Sequence, residues 1–253
     1  THPKLLDWLA AEFMEPTTGG GAPWTLKRLH KLIMMSDTYQ QQSLHPQEAK
    51  YAQRDFLNRN LWKFNRHRLN SESLRDAMLA VSGQINLKMG GSSFYPKMSS
   101  EALEGLSRKA GDWKDSSTDE RSRRSIYMMT KRSRLLPLMT AFDFSDTTAS
   151  CGQRDVTTVA PQALALLNNH FAHSQSEALA NRLTKQTSRT HEQIKLAWRL
   201  AFCRNPADAE FAQATAHLRA QQTHFEKEKN ADHLALASLC HVLLNCNEFI
   251  YVD

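Results

Sequence analysis

From Pro161 to the end of the chain, apolar residues recur at helical spacing with little interruption, and this pattern constrains the fold most. Ala163, Leu164, Leu166 and Leu167 fall on one stripe after Pro161, a residue suited to the first turn of a helix. A longer helix is expected over 170–184. Thr190-His-Glu-Gln193 has the spacing of a capping box, followed by Ile194, Ala197, Trp198, Ala201 and Phe202 on one face. Asn205-Pro206 reads as an N-cap with a first-turn proline, and a last helix is expected over 232–245.

The first half carries the same signal more loosely. Leu5, Leu6, Leu9 and Phe13 form a stripe that ends at the loop 16–23. Thr25 is placed to cap a helix carrying Leu26, Leu29, Leu32 and Ile33, and 36–43 is polar and expected to turn. An aromatic-rich stretch over 51–64 is expected to be partly helical. Asn70 and Gly83 bracket a helix over 71–82, with Leu74, Ala77, Met78 and Val81 inward. Residues 88–124 are rich in Gly, Ser and charge, and read as an exposed insertion with a short helix near 101–109. Residues 125–130 read as a short strand, and 143–160 as a structured irregular loop.

Only 9 glycines and 8 prolines occur in 253 residues, too few turn formers for a sandwich, a barrel or a doubly wound sheet. The expectation is an all-α domain over 1–253 with a long polar loop and at most a minor β element, built from about eight to ten helices. Sub-lobes would fall at 1–87 and 125–253. No apolar run approaches the roughly 18 residues of a membrane span, and none has the character of a signal-peptide core. The chain opens Thr1-His2-Pro3 and reads as a processed piece or an excised domain.

Cys151, Cys203, Cys240 and Cys246 include no C-x-x-C pair, which removes the usual zinc-ribbon and thioredoxin readings. Cys240-His241 resembles the end of a haem attachment motif, but Ala237 stands where its first cysteine would be. Two disulfides and four buried free thiols both fit this count.

Several stretches taken together carry a family resemblance. They are His2-Pro-Lys-Leu-Leu-Asp-Trp-Leu-Ala10, Leu26-Lys-Arg-Leu-His-Lys-Leu-Ile33 with Ser36-Asp-Thr-Tyr39, and Arg66-His-Arg-Leu69 with Leu74-Arg-Asp-Ala-Met-Leu-Ala-Val-Ser-Gly83. Downstream follow Arg123-Arg-Ser-Ile-Tyr127, Phe142-Asp143, Cys151-Gly-Gln-Arg154, Thr157-Thr-Val-Ala-Pro-Gln-Ala-Leu164 and the ending Leu243-Leu-Asn-Cys-Asn-Glu-Phe-Ile-Tyr-Val-Asp253. In that order, they resemble the C-terminal domain of large secreted planctomycete proteins, the family called domain of unknown function 1553. The resemblance implies an extracytoplasmic setting and a parent protein that also carries a cytochrome-c-like segment. Haem would then belong elsewhere in the parent protein, and no cofactor is expected in this chain.

The leading candidate site is the polar stretch 143–168, with Asp143, Asp146, Arg154, Asp155 and Gln162, joined from upstream by Arg132. Carboxylates suit hard cations, and guanidinium forks suit sulfate, phosphate or carboxylate. The same residues could instead pair with one another and with loop amides to hold the loop shut. Asp143 with Asp146 is also the residue pairing a glycosidase would need. His170 and His173 stand on one helical face at ligating spacing, yet no H-E-x-x-H is present. G-x-S-x-G, G-x-G-x-x-G and Walker patterns are missing as well.

The net charge of +6 is spread over Lys27-Arg28, Arg66-His-Arg68, Arg121–Arg124 and Lys131–Arg134. Nucleic acid is not expected as a partner in an extracytoplasmic setting, which favours anionic glycan. The expected function is a non-catalytic binding or scaffold module that recognises anionic polysaccharide or docks other domains of its parent protein. The alternative is part of an extracytoplasmic hydrolase or haem-linked oxidoreductase that uses the 143–168 site.

Overall fold

A computed structural model describes residues 2–98, 113–131, 135–145, 147 and 149–252. The described chain is mostly α-helical. Its β structure among those residues is one two-stranded ladder, His67–Arg68 with Tyr251–Val252, and isolated bridges. It divides into two compact units, Thr1–His67 and Arg68–Val252. The helix after Asn70 belongs to the second unit. No helix of the described residues is long and apolar enough to cross a membrane.

The first unit holds α1 (Pro3–Met14), α2 (Leu26–Met34) and α3 (Glu48–Arg54). Proline opens α1, where its missing N–H has no helical partner to lose. The loop between α1 and α2 is organised by Glu12, which is 2% exposed. Its carboxylate accepts from the Thr17 hydroxyl at 2.6 Å, from the amides of Thr17 and Thr18, and from the Arg28 guanidinium. Beyond α3 the expected helical character gives way to a tight loop held by Asp55 and Asn58. Apolar burial is slight here: Leu5, Leu6, Trp8, Trp24, Leu26, Met34 and Met35 are all exposed.

The second unit carries the core. Its helices are α4 (Ser71–Ser82), α5 (Thr118–Arg121), α6 (Pro137–Ala141), α7 (Ala160–Asn168), α8 (His170–Gln186), α9 (Thr190–Phe202), α10 (Asp208–His224), α11 (Ala231–Leu244) and α12 (Asn247–Ile250). α8 lies against α4 and α11, and α11 lies against α10. Leu74, Met78, Leu179, Leu183, Ile194 and Leu244 are completely or almost completely buried there. Full burial of such side chains contributes about 1.5–3 kcal/mol each. Asn70 caps α4 by accepting from the Ser73 amide at 2.8 Å, and Gly83 ends it at φ 77°.

Three local expectations are corrected. Thr190 is the first helical residue of α9 rather than its cap, because Gln193 donates to the Thr187 carbonyl at 2.9 Å instead of closing a box. α10 starts at Asp208, not at Pro206, because the Glu210 carboxylate accepts from the Ala207 amide at 2.7 Å. Residues 125–130 form a 3-10 turn, Ser125–Tyr127, and an isolated bridge from Phe94 to Met128. The Asp76 carboxylate draws in the Ser125 amide and hydroxyl, at 2.8 and 2.7 Å, which turns the backbone away from a strand.

Within the stretch expected as an exposed insertion, Phe94, Met98, Trp113 and Arg123 are buried. The short helix expected near 101–109 lies outside the described residues. All four cysteines are free thiols, with Cys240 buried and Cys151 and Cys203 exposed.

Candidate functional site

The polar loop over 143–159 is closed by residues that precede it in the chain. Arg68 opens the second unit with its side chain 3% exposed. Its guanidinium donates to the Asp143 carboxylate at 2.6 Å, to the Thr157 carbonyl at 3.2 Å and to the Leu69 carbonyl at 3.1 Å. It also packs over the Phe142 ring, 5.0 Å from its centroid. The Asp143 carboxylate accepts from the Thr157 amide at 2.8 Å and from its hydroxyl at 2.9 Å. Gln162, in the first turn of α7 and 5% exposed, donates to the Thr157 carbonyl and hydroxyl. One aspartate thus fastens both ends of the loop. Its backbone adopts φ 56°, a conformation that aspartate tolerates better than most residues.

Burial alone would push the Asp143 carboxyl up. The Thr157 amide and hydroxyl and the Arg68 charge outweigh it and hold the group below the ordinary carboxylate value. The charge on Asp143 is therefore stabilised, which suits an anchor and ill suits a general acid.

Arg154 is used in the same way. Both of its terminal nitrogens reach Glu72 in the first turn of α4, at 2.8 and 2.9 Å, a bidentate fork. The guanidinium also lies over the Phe144 ring. Burial raises the Glu72 carboxyl; Arg154, the helix's own amide and the Ser71 hydroxyl more than offset it, so the group sits below its ordinary value.

Of the sequence-derived candidates, Asp143 and Gln162 meet around Thr157, and Arg154 is bound to Glu72. Asp155 is exposed and takes part in neither set. Arg132 and Asp146 lie outside the described residues. His170 bonds within its own helix to Ser174, while His173 packs on His241, ring centroids 4.1 Å apart. Among the described residues, no three or more His, Cys, Asp or Glu side chains gather as a metal ion would require. An apolar cavity lined by Met128, Met129, Leu136, Met139 and Phe144 has a volume of about 10 Å³. That is about the space of one water.

A second network went unnoticed in sequence. Arg75 donates to the carbonyls of Arg123 and Arg121 at 3.0 and 2.5 Å and to the Ser125 hydroxyl at 3.1 Å. Arg123, 1% exposed, donates to the Ser92 carbonyl at 3.0 Å, to the Gly90 carbonyl and to Glu120 at 2.9 Å. Arg75 falls on the buried stripe of α4, between Leu74 and Met78. A cation within an apolar stripe was the readable signal.

Fold and site define a helical module whose polar loop is pinned by its own ion pairs. The chain belongs to the PSD1 family, described as a protein of unknown function (DUF1553), whose model matches residues 1–218. No curated protein and no solved structure matches it.

Proposed function

We propose that this chain is a non-catalytic helical scaffold module of a larger extracytoplasmic protein, and that it docks other domains of that protein. The observation that carries this reading is the closure of the polar loop on itself. Asp143 is spent on Arg68 and Thr157, and Arg154 on Glu72. A catalytic constellation needs groups that converge on a substrate-sized space. These groups converge on each other. Arg68 and Arg154, the guanidiniums this loop could turn towards an anionic glycan, are instead engaged within the fold.

Docking draws support from the first unit. Leu5, Leu6 and Trp8 on α1 and Leu26 and Met34 on α2 are exposed apolar side chains on helices, as at a surface meant to be covered. The test is amide hydrogen exchange on this chain alone and within its parent protein. Docking predicts slower exchange over 3–34 in the parent protein; equal exchange in the two settings would overturn the proposal.

A further inference from the structure

The loop after α3 presents two adjacent apolar side chains to solvent, Phe56 at 84% and Leu57 at 64% exposure. It does so from an ordered backbone. The Asp55 carboxylate accepts from the Arg59 amide at 2.9 Å and the Asn60 amide at 2.7 Å, and the Asp55 carbonyl accepts from the Trp62 indole at 3.0 Å. Asn58 is 5% exposed, and its side chain accepts from the Trp62 amide at 2.8 Å and donates to the Lys63 carbonyl at 2.6 Å. Both sides of the loop are thus tied together beneath the tip. The two side chains are held outward instead of being free to fold back, so little ordering entropy remains to be lost when they are buried.

Cations accompany the tip. Arg54 and Arg59 stand on either side of it in the chain, and Lys50 lies one turn earlier on α3; all three are exposed. The one carboxylate among residues 54–60, Asp55, is consumed by the loop's own amides. Hydrogen bonds from the Asn60 and Arg59 amides hold it below the ordinary carboxylate value. The local surface is therefore an apolar point with three cations, Lys50, Arg54 and Arg59, against one carboxylate, Asp55, which is turned to the loop's own amides.

We propose that Phe56 and Leu57 form an interfacial anchor that inserts into an anionic lipid surface, with Arg54, Arg59 and Lys50 facing the headgroups. A bilayer supplies an apolar layer for the two side chains and negative charge at the depth of the cations. An anionic glycan supplies only the charge and leaves the phenyl and isobutyl groups without a sink. This anchor uses none of the apolar side chains of the docking helices, although His2 at the start of α1 bonds to the Arg59 carbonyl at 2.7 Å, and it does not depend on the scaffold proposal.

The test is co-sedimentation of the 253-residue chain with vesicles of phosphatidylglycerol and phosphatidylcholine, beside vesicles of phosphatidylcholine alone. The chain should pellet with the anionic vesicles and much less with the neutral ones, with binding weakened by salt. Phe56→Ser with Leu57→Ser should weaken partition by on the order of tenfold or more. Arg54→Gln and Arg59→Gln should each cost about fivefold. The serine changes fall at exposed positions, and an unchanged circular dichroism spectrum certifies the fold; the single Phe56→Ser variant serves if the double variant loses it. Failure of the chain to pellet, equal pelleting with neutral vesicles, or binding unaltered by the serine variants would overturn the proposal. So would a phenotype of Phe56→Ser confined to binding a partner protein.

Discussion

The Arg68 guanidinium donates to the Asp143 carboxylate at 2.6 Å, although 75 residues separate the two in the chain. The same guanidinium reaches the Thr157 carbonyl, so it joins the start of the second unit to both sides of the polar loop. Removing either partner leaves the other without its counter-charge.

Asp143→Ala should therefore act through stability. Arg68 would remain buried at 3% side-chain exposure with its strongest acceptor gone, and the Thr157 amide and hydroxyl would lose theirs. Breaking a buried pair in this way costs about 3–5 kcal/mol, and the 19% exposure of Asp143 puts the expectation near about 3. Urea unfolding of the wild type, the Arg68→Met and Asp143→Ala variants, and the double variant should show each single change costing most of what the pair costs together. Purely additive losses would count against the pair as the anchor.

The contrast between what the sequence announces and what it conceals follows from range. Helices α8 and α11 were readable because their apolar spacing is local. The capping of α4 by Asn70 and Gly83 was readable for the same reason. Asp143, Arg154 and Gln162 stood out as polar residues in an irregular stretch, but the partners of the first two, Arg68 and Glu72, lie 75 and 82 residues away. Nothing local marks such pairs, so the polar stretch read as a site or as a latch. The burial of Phe94 and Trp113 was hidden by the glycine, serine and charge around them, which set the average character of their stretch.

Arg75→Lys should fail to replace the native residue. The Arg75 fork serves the Arg123 and Arg121 carbonyls and the Ser125 hydroxyl at once, and a lysine ammonium is a single point that cannot span these acceptors. Burial already lowers the Arg75 value to about 10, with Asp76 opposing the shift, so the site is dry and leaves little water to substitute for lost bonds. A loss of about 1–3 kcal/mol is expected in urea unfolding. A neutral result would show that the three acceptors find other donors.

Acid should destabilise the fold through named carboxylates. Arg204 holds Glu210 at about 2, and Glu72 and Asp143 also lie below their ordinary values. Each carboxyl binds its proton more weakly in the folded chain than in the unfolded one, so its contribution is present in full above its unfolded value. For Glu210 that contribution is lost as pH falls from about 4.5 towards about 2. Melting temperatures recorded from pH 6 to pH 2 should decline mainly in that window, and Glu210→Gln should flatten part of the decline. A profile with the same slope in the variant would remove Glu210 from the account.

Gly83→Ala tests the end of α4 from the backbone side. Gly83 sits at φ 77°, a left-handed conformation that costs a residue with a Cβ about 1 kcal/mol. The added methyl would also lie 3.3 Å from the Arg182 side chain, whose guanidinium donates to the Ala80 and Val81 carbonyls at 3.1 and 2.7 Å. The Ala80 carbonyl also accepts from the Gly83 amide at 3.1 Å, whereas the Val81 carbonyl lies in the last turn, where the helix's own amides run out. Displacing Arg182 would therefore add to the backbone strain, for a total loss of about 1–2 kcal/mol. Arg182→Ala in the Gly83→Ala background separates the two contributions. If the methyl acts only through φ, the two losses add; if it acts by moving Arg182, the double variant is scarcely less stable than the worse single variant.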